Sequence, residues 1–236
     1  MAYNYTTYRA ALAELMVTTT AEADFVAILP SIIDYAEQRC YRELDLLNTV
    51  VRDSTGVLSA SNRNFTLPTS LGTFIVVNGI NVVTPAGTAP DAGTRKPLVP
   101  TTRDYLDLAW PSATGATVPS LYAMITQSTI VVGPWPDAAY VVEVIGTQRP
   151  TPLSASNTST FLTANLPDLF MAASMVFASG FMRNFGSQAD DPKMAQSWET
   201  QYKTLFASAN IEEMRKKYQS AGWSSQSPAP LASPRT

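Results

Sequence analysis

Two pairs of carboxylates are the residues of this chain most suited to chemistry. Asp104 and Asp107 lie three apart and could share one face of a helix, while Asp190 and Asp191 are adjacent. A pair of carboxylates flanking a glycosidic bond is the machinery of a glycosidase, one serving as acid and the other as base or nucleophile. A peptidoglycan hydrolase would need such a pair. Carboxylates this close in sequence are also commonplace on surfaces, and Asp191 before Pro192 reads more simply as a helix cap. Most other tools of catalysis are missing. The chain has no histidine, which removes Ser-His-Asp triads, Cys-His pairs, HExxH zinc sites and imidazole bases. Its single cysteine, Cys40, excludes CxxC zinc sites, iron–sulfur sites and an internal disulfide. Neither a phosphate-cradling GxxxxGK[ST] loop nor a GxGxxG turn occurs, and no EF-hand spacing is present. No cofactor and no metal are expected.

Two further groupings could recognise a partner. Trp110, Tyr122, Trp135 and Tyr140 cluster in one third of the chain. On an exposed face they would stack on sugar rings, as in a carbohydrate-binding module; in a core they would be ordinary packing. Trp135, between Pro134 and Pro136, sits in a rigid turn that suits a protein contact. The second grouping, Arg215-Lys216-Lys217, closes a helical pattern. Cations there complement the helix dipole, a simpler reading than a phosphate grip.

The elements that carry these residues fall into three texture classes. From residue 6 to 17, Tyr8, Leu12, Leu15 and Met16 recur at helical spacing, with Thr6 as the expected N-cap. Pro30 is expected to open a second helix or to kink a longer one. Beyond it Ile32, Ala36, Cys40 and Leu44 recur every fourth residue, with Ile33 and Leu47 beside them, which predicts an amphipathic helix of three to four turns. Asp34, Glu37, Arg39, Arg42 and Glu43 mostly occupy its other faces. Cys40, inside the apolar stripe, is expected to be a buried, inert thiol.

After Asn48 the pattern changes. Eleven of the 17 prolines lie between Pro68 and Pro152, so long helices are excluded there. Strand-like runs occur at 49–52, 64–67, 73–77, 81–83, 121–125, 129–133 and 140–148, with turns at 126–128 and 134–137. They predict an antiparallel sandwich or small barrel. Val83 to Lys96 reads as a long loop, and 102–109 as a short helix. Helical pattern returns at Leu166-Pro167-Asp168. Leu169 to Phe185 is apolar nearly all round, as in a helix buried on several sides, with Gly186 as its C-cap. A last helix from Pro192 to Tyr218 carries Met194, Trp198, Tyr202, Leu205 and Ala209 on one face.

The fold class is therefore α+β. N- and C-terminal helices form one bundle, an antiparallel β-sandwich or barrel module is inserted between them, and an extended C-terminal tail follows. The expected boundaries are 1–48, 49–152, 153–218 and 219–236. The tail has a single charge, Arg235, three prolines and several serines, so it cannot bury enough apolar surface to order itself. Fully extended it reaches roughly 60 Å. Trp223 and Leu231 are its possible anchors.

Charged residues make up only 15% of the chain, against roughly 25% in an ordinary soluble domain. Either the surface is simply neutral, or neighbouring subunits cover part of it. The net charge is −3, so no global attraction to nucleic acid is expected. Residues 1–48 hold 3 basic and 7 acidic side chains. MAYNYTTY has neither the charged nor the apolar region of a signal peptide. The apolar run from Phe170 to Met182 is too short to span a bilayer. A soluble protein made in the cytoplasm, without membrane contact, is expected.

Four stretches in order carry a family resemblance: YAEQRCYRELDLL (35–47), NRNFTLPTSL (62–71), PSLYAMITQSTIVVGPWPDAAYVVEVIGTQRPTPLS (119–154) and TFLTANLPDLFMAASMVFA (160–178). The third is the most specific, with a hairpin, a Gly-Pro-x-Pro-Asp turn, a long strand and an Arg-Pro exit. Their order and spacing over about residues 5–218 resemble the head-to-tail adaptor proteins of short-tailed bacteriophages, the group that includes the adaptor of SU10-like phages. None is a catalytic signature. The 83–96 loop is longer than the family pattern leads one to expect, and the tail does not match it position by position.

The resemblance implies a non-enzymatic virion protein of the tail and neck. Twelve copies would form a ring beneath the portal protein. The tail, through Trp223, Leu231 and Arg235, would dock on that portal. The β modules would offer tail nozzle or tail-fibre proteins a platform, with Trp135 as the tail-side contact. Double-stranded DNA would pass through the channel without sequence-specific binding. The alternative from another class is a carbohydrate-binding or fibre-attachment module using the aromatic β face.

Overall fold

The computed structural model describes residues 2–181 and 192–218. The chain divides into two compact units, one made of residues 1–47 with 153–236 and the other of Asn48–Pro152.

The first unit is helical. Helix α1 spans Tyr5–Leu15. Its cap is Asn4 rather than Thr6, because Asn4 and Thr7 form a reciprocal capping box that satisfies two backbone donors at once. Helix α2 spans Ala23–Glu43 without a break, with Pro30 inside it. Pro30 thus neither opens a new helix nor ends one. Phe25 and Leu29 before it and Ile32, Ile33, Ala36 and Cys40 after it are buried in one continuous core, and that shared burial offsets the missing backbone donor. The helix ends at Glu43, so Leu44 and Leu46 are buried while Leu47 turns outward.

Helix α4, Phe161–Asn165, is a short element that the sequence pattern does not announce. Thr160 and Thr163 cap it as a box. Helix α5, Pro167–Phe181, is buried on several sides: Leu169, Phe170, Met171, Ala172, Ala173, Met175 and Ala178 all lie in the core. Helix α6 spans Pro192–Tyr218. Tyr202 and Ala209 are buried in this core, with Met194, Trp198 and Leu205 packed against it. Tyr8 ties α1 to α5, stacking on Phe170 at 4.9 Å while its hydroxyl lies 2.6 Å from Ser174 Oγ. The expected cap at Gly186, the cap at Asp191 and the whole segment 219–236 lie outside the described residues.

The second unit contains two four-stranded sheets and no closed barrel. One sheet runs β1-β8-β3-β4 and the other β2-β7-β6-β5. Their ranges are β1 Val50–Val57, β2 Asn64–Thr66, β3 Thr73–Thr84, β4 Thr94–Pro97, β5 Val99–Pro100, β6 Leu121–Met124, β7 Thr129–Gly133 and β8 Val141–Arg149. Phe74, Ile80, Val82, Val142 and Val144 from the first sheet meet Phe65, Tyr122, Ile130 and Val132 from the second in one core. Every pairing is antiparallel except β5 with β6, which is parallel.

Two expectations change. The runs at 73–77 and 81–83 are one strand, β3, whose register against β8 shifts between Phe74 and Val76 and again between Val77 and Gly79. Gly146 on β8 permits this approach, since a Cβ there would lie 2.2 Å from the Val76 carbonyl oxygen. The loop from 83 to 96 is shorter than expected, because β4 pairs Thr94 with Thr84 and Arg95 with Val83. Helix α3, Arg103–Ala109, is capped by Thr102 and packs Leu106 on Ala123 and Val131, the outward side of β6 and β7.

Candidate functional site

Asp104 and Asp107 both lie on α3. Asp107 accepts a hydrogen bond from Arg63 Nη2 and pairs with Arg103 Nε at 3.4 Å. The Arg63 hydrogen bond, aided by Arg103, holds the Asp107 carboxyl below the usual carboxylate range. A glycosidase acid needs the opposite shift, because it must keep a proton at neutral pH. Asp190 and Asp191 lie outside the described residues. Among the described residues no group of His, Cys, Asp and Glu could hold a metal ion.

The aromatic candidates separate into two pairs. Tyr122 and Tyr140 are core residues. The Tyr140 hydroxyl donates to Asp137 Oδ1 at 2.6 Å, and this bond, with burial, pushes its pKa up to about 12. Trp110 and Trp135 are half-buried and joined, Trp135 Nε1 donating to the Trp110 carbonyl at 3.0 Å. The Arg63 guanidinium lies 5.2 Å from the Trp135 ring centroid while bonding Asp107. Trp135, Arg63 and Asp107 therefore form a braced corner in which each side chain is held by the next. This arrangement does not present four aromatic faces to a sugar. Arg63 was not legible as part of it, because it is 72 residues away from Trp135 in sequence and isolated in charge.

Buried charge elsewhere follows the same pattern of pairing. On the first sheet, Glu143 is fully buried. It accepts from Arg95 Nε at 3.0 Å and Asn81 Nδ2 at 3.0 Å, with Arg52 Nε at 3.6 Å. In the helical unit, Arg39 grips Glu199 through two bonds of 2.7 and 2.8 Å and lies 4.0 Å from the Tyr202 ring centroid. The Tyr202 hydroxyl donates to Glu43 at 2.8 Å. This knot borders an open groove of about 620 Å³ that Tyr35 and Phe177, stacked 5.0 Å apart, also line. Cys40 is completely buried, and burial pushes its thiol up to about 12, so it carries no thiolate at neutral pH. At the end of α6, Lys216 pairs with Glu212 and Glu213, both at 2.7 Å, and Lys217 with Asp45. Those two cations serve the fold.

Two buried carboxylates, Asp53 and Glu37, have no ion-pair partner among the described residues; Asp53 accepts instead from the Thr55 N–H and the Thr55 and Ser70 hydroxyls. Glu37 on α2 accepts the Leu153 backbone N–H at 3.0 Å, and burial raises its pKa to about 7, against the lowering effect of that hydrogen bond. Sequence reading placed Glu37 on an outer face. Its spacing with Ile33 and Cys40, four before and three after, was the available signal that it lies in the buried stripe.

No helix among the described residues is long and apolar enough to cross a membrane. Among curated proteins, none matches the chain. Residues 3–229 match the family of the SU10 adaptor protein. With nearly the whole chain inside that match, and with its central ionisable groups committed to structural pairs, the chain belongs to the SU10 adaptor family, structural adaptors of bacteriophages.

Proposed function

We propose that this protein is a head-to-tail adaptor that joins the portal to the tail nozzle or fibres. Twelve copies form a ring that continues the DNA channel, in the neck of the virion after assembly in the host cytoplasm. The observation that carries this reading is the family match over residues 3–229. The low charge, 15% of residues with a net of −3, supports it. A neutral to acidic channel wall lets double-stranded DNA pass without the counterion-release affinity of a basic one.

The segment from Gln219 to Thr236 docks on the portal, with Trp223 and Leu231 as apolar anchors and Arg235 as its charge. A polar arm that orders on docking covers a large surface and adds nothing to the core beforehand. The braced corner at Trp135 is the tail-side contact, since a rigid aromatic side chain loses little conformational freedom on binding. The protein performs no catalysis in this role.

The test is mass photometry of the protein with its cognate portal, full-length and truncated after Tyr218. The expected result is a stoichiometric complex for the full chain, none for the truncated chain, and equal melting temperatures for the two. A complex that survives truncation would remove the tail from the docking role. No complex with either form would remove the adaptor reading.

A further inference from the structure

Helix α6 has two apolar faces. One is the face in the core. The other consists of Ala207, Ile211, Met214 and Tyr218, spaced 4, 3 and 4 residues apart, which is the repeat of a helix–helix seam. At 100° per residue these four lie on the side of α6 opposite the buried Ala209. Ile211, Met214 and Tyr218 are 51%, 48% and 52% exposed. Arg215 stands beside them, exposed and without an ion-pair partner among the described residues.

A second exposed apolar surface lies where α1 turns into α2. It consists of Leu15, Val17 and Val26. Val17 is 84% exposed and has φ +55. Its N–H donates to the Glu14 carbonyl and that of Thr18 to the Ala13 carbonyl, which is the helix-closing arrangement whose left-handed position favours glycine. A β-branched residue is strained there. The fold thus holds an isopropyl group in water on a backbone that disfavours it, and strain of this kind collects at functional surfaces. Around it Glu14, Glu22 and Asp24 are exposed carboxylates with no ion-pair partner among the described residues.

The two surfaces are complementary in character, apolar knobs with exposed acids on one and an apolar stripe with an exposed guanidinium on the other, none of them ion-paired among the described residues. They cannot meet within one chain. Lys217 bonds Asp45, and Glu213 accepts the Leu47 N–H at 3.1 Å, so the stripe is fixed at the C-terminal end of α2. Val26 lies at the other end of that helix, about 25 Å away at 1.5 Å per residue.

We infer that the occupant of the α6 stripe is the α1–α2 corner of a second copy of this chain. The contact joins unlike surfaces, so each copy keeps one of each free and the association propagates until it closes into a ring. This deepens the adaptor reading and rests on it for the ring, while the surfaces stand on their own geometry.

The test uses cysteines placed at the two surfaces, with Cys40 left in place because it is buried. The double variant Val17→Cys with Met214→Cys is treated with a short bismaleimide, as concentrated protein and in its assembly with the portal. The expected product is a ladder of covalent multimers on a denaturing gel, with none from either single variant. Dimers from a single variant would mean that like surfaces meet, and would overturn the inference. So would the absence of a ladder in both preparations. Val17→Gly keeps the test independent of folding: it is expected to raise the melting temperature while weakening self-association at least tenfold by sedimentation. Unchanged association would also overturn the inference. Portal binding without a ladder sinks this contact alone, whereas a ladder without portal binding sinks the adaptor reading and leaves the contact.

Discussion

Glu143 in the β unit and Glu37 in the helical unit are both buried, and they are treated in opposite ways. Glu143 in the β unit has Arg95, Asn81 and Arg52 around it. Burial pushes its pKa up, but those hydrogen bonds and cations outweigh burial and leave it lowered. Glu37 in the helical unit has a single backbone N–H, and burial wins, raising it to about 7 with a further push from Asp34. Burial alone thus does not decide the state of a carboxylate; the donors that reach it do, and Asp53 too is lowered against its burial, by the Ser70 and Thr55 hydroxyls and the Thr55 N–H. The consequence is that acid acts on these two glutamates with opposite sign.

The largest effect expected is at Glu37. A folded pKa near 7 against about 4.5 unfolded means that its contribution is fully present below pH 4.5 and is lost as pH rises towards 7. The difference corresponds to about 3 kcal/mol, at 1.36 kcal/mol per pKa unit. Glu37→Gln keeps the acceptor for the Leu153 N–H without the charge. It is therefore expected to be more stable than the parent at pH 8 by up to about 3 kcal/mol, and equal to it near pH 4. Urea midpoints at the two pH values decide this. An identical offset at both would show that Glu37 does not titrate in this window.

Glu143→Gln is the counter-experiment. It removes the charge that Arg95 and Arg52 answer and costs about 2 kcal/mol at neutral pH. Because the folded pKa is lowered, the stability that Glu143 supplies is present above the unfolded value and fades as pH falls through the folded one. The gap between variant and parent should therefore shrink in acid, where the Glu37 gap also closes but from the other side. A Glu143→Gln variant as stable as its parent at pH 7 would erase the contrast.

How much of this was legible depends on whether the signal was local. The α2 core stripe was plain because its apolar residues recur every fourth position. The α5 helix was plain because it is apolar all round. Glu37 shares the register of the α2 stripe and is buried with it, but its charge argues for an outer face. Strand β4, Thr-Arg-Lys-Pro, is polar and at a sheet edge, so no alternation announces it; only its pairing with β3 makes it a strand. Strand β3 read as two runs because Asn78-Gly79 interrupts the pattern, and the register shifts absorb that interruption. The structural role of Asp107 on α3 was not legible because Arg63, which fixes it, lies 44 residues away, just before β2.

The smallest effect sharpens the comparison from a third place. Val17→Gly relieves a left-handed β-branched residue, whose cost is about 1 kcal/mol. The flexible glycine also loses more freedom on folding, so the net gain is expected to be no more than about 1 kcal/mol. Both glutamate variants alter the titration of a buried charge, and their effects change with pH. The Val17 variant changes only backbone strain and exposed apolar surface. Its stabilisation should be the same at pH 4 and pH 8, and a gain that differs between the two would show that more than backbone strain had changed. If the gain is pH-independent and self-association still falls, the valine is retained for contact at the expense of stability. That is the trade expected of a residue selected for an interface rather than for the fold that carries it.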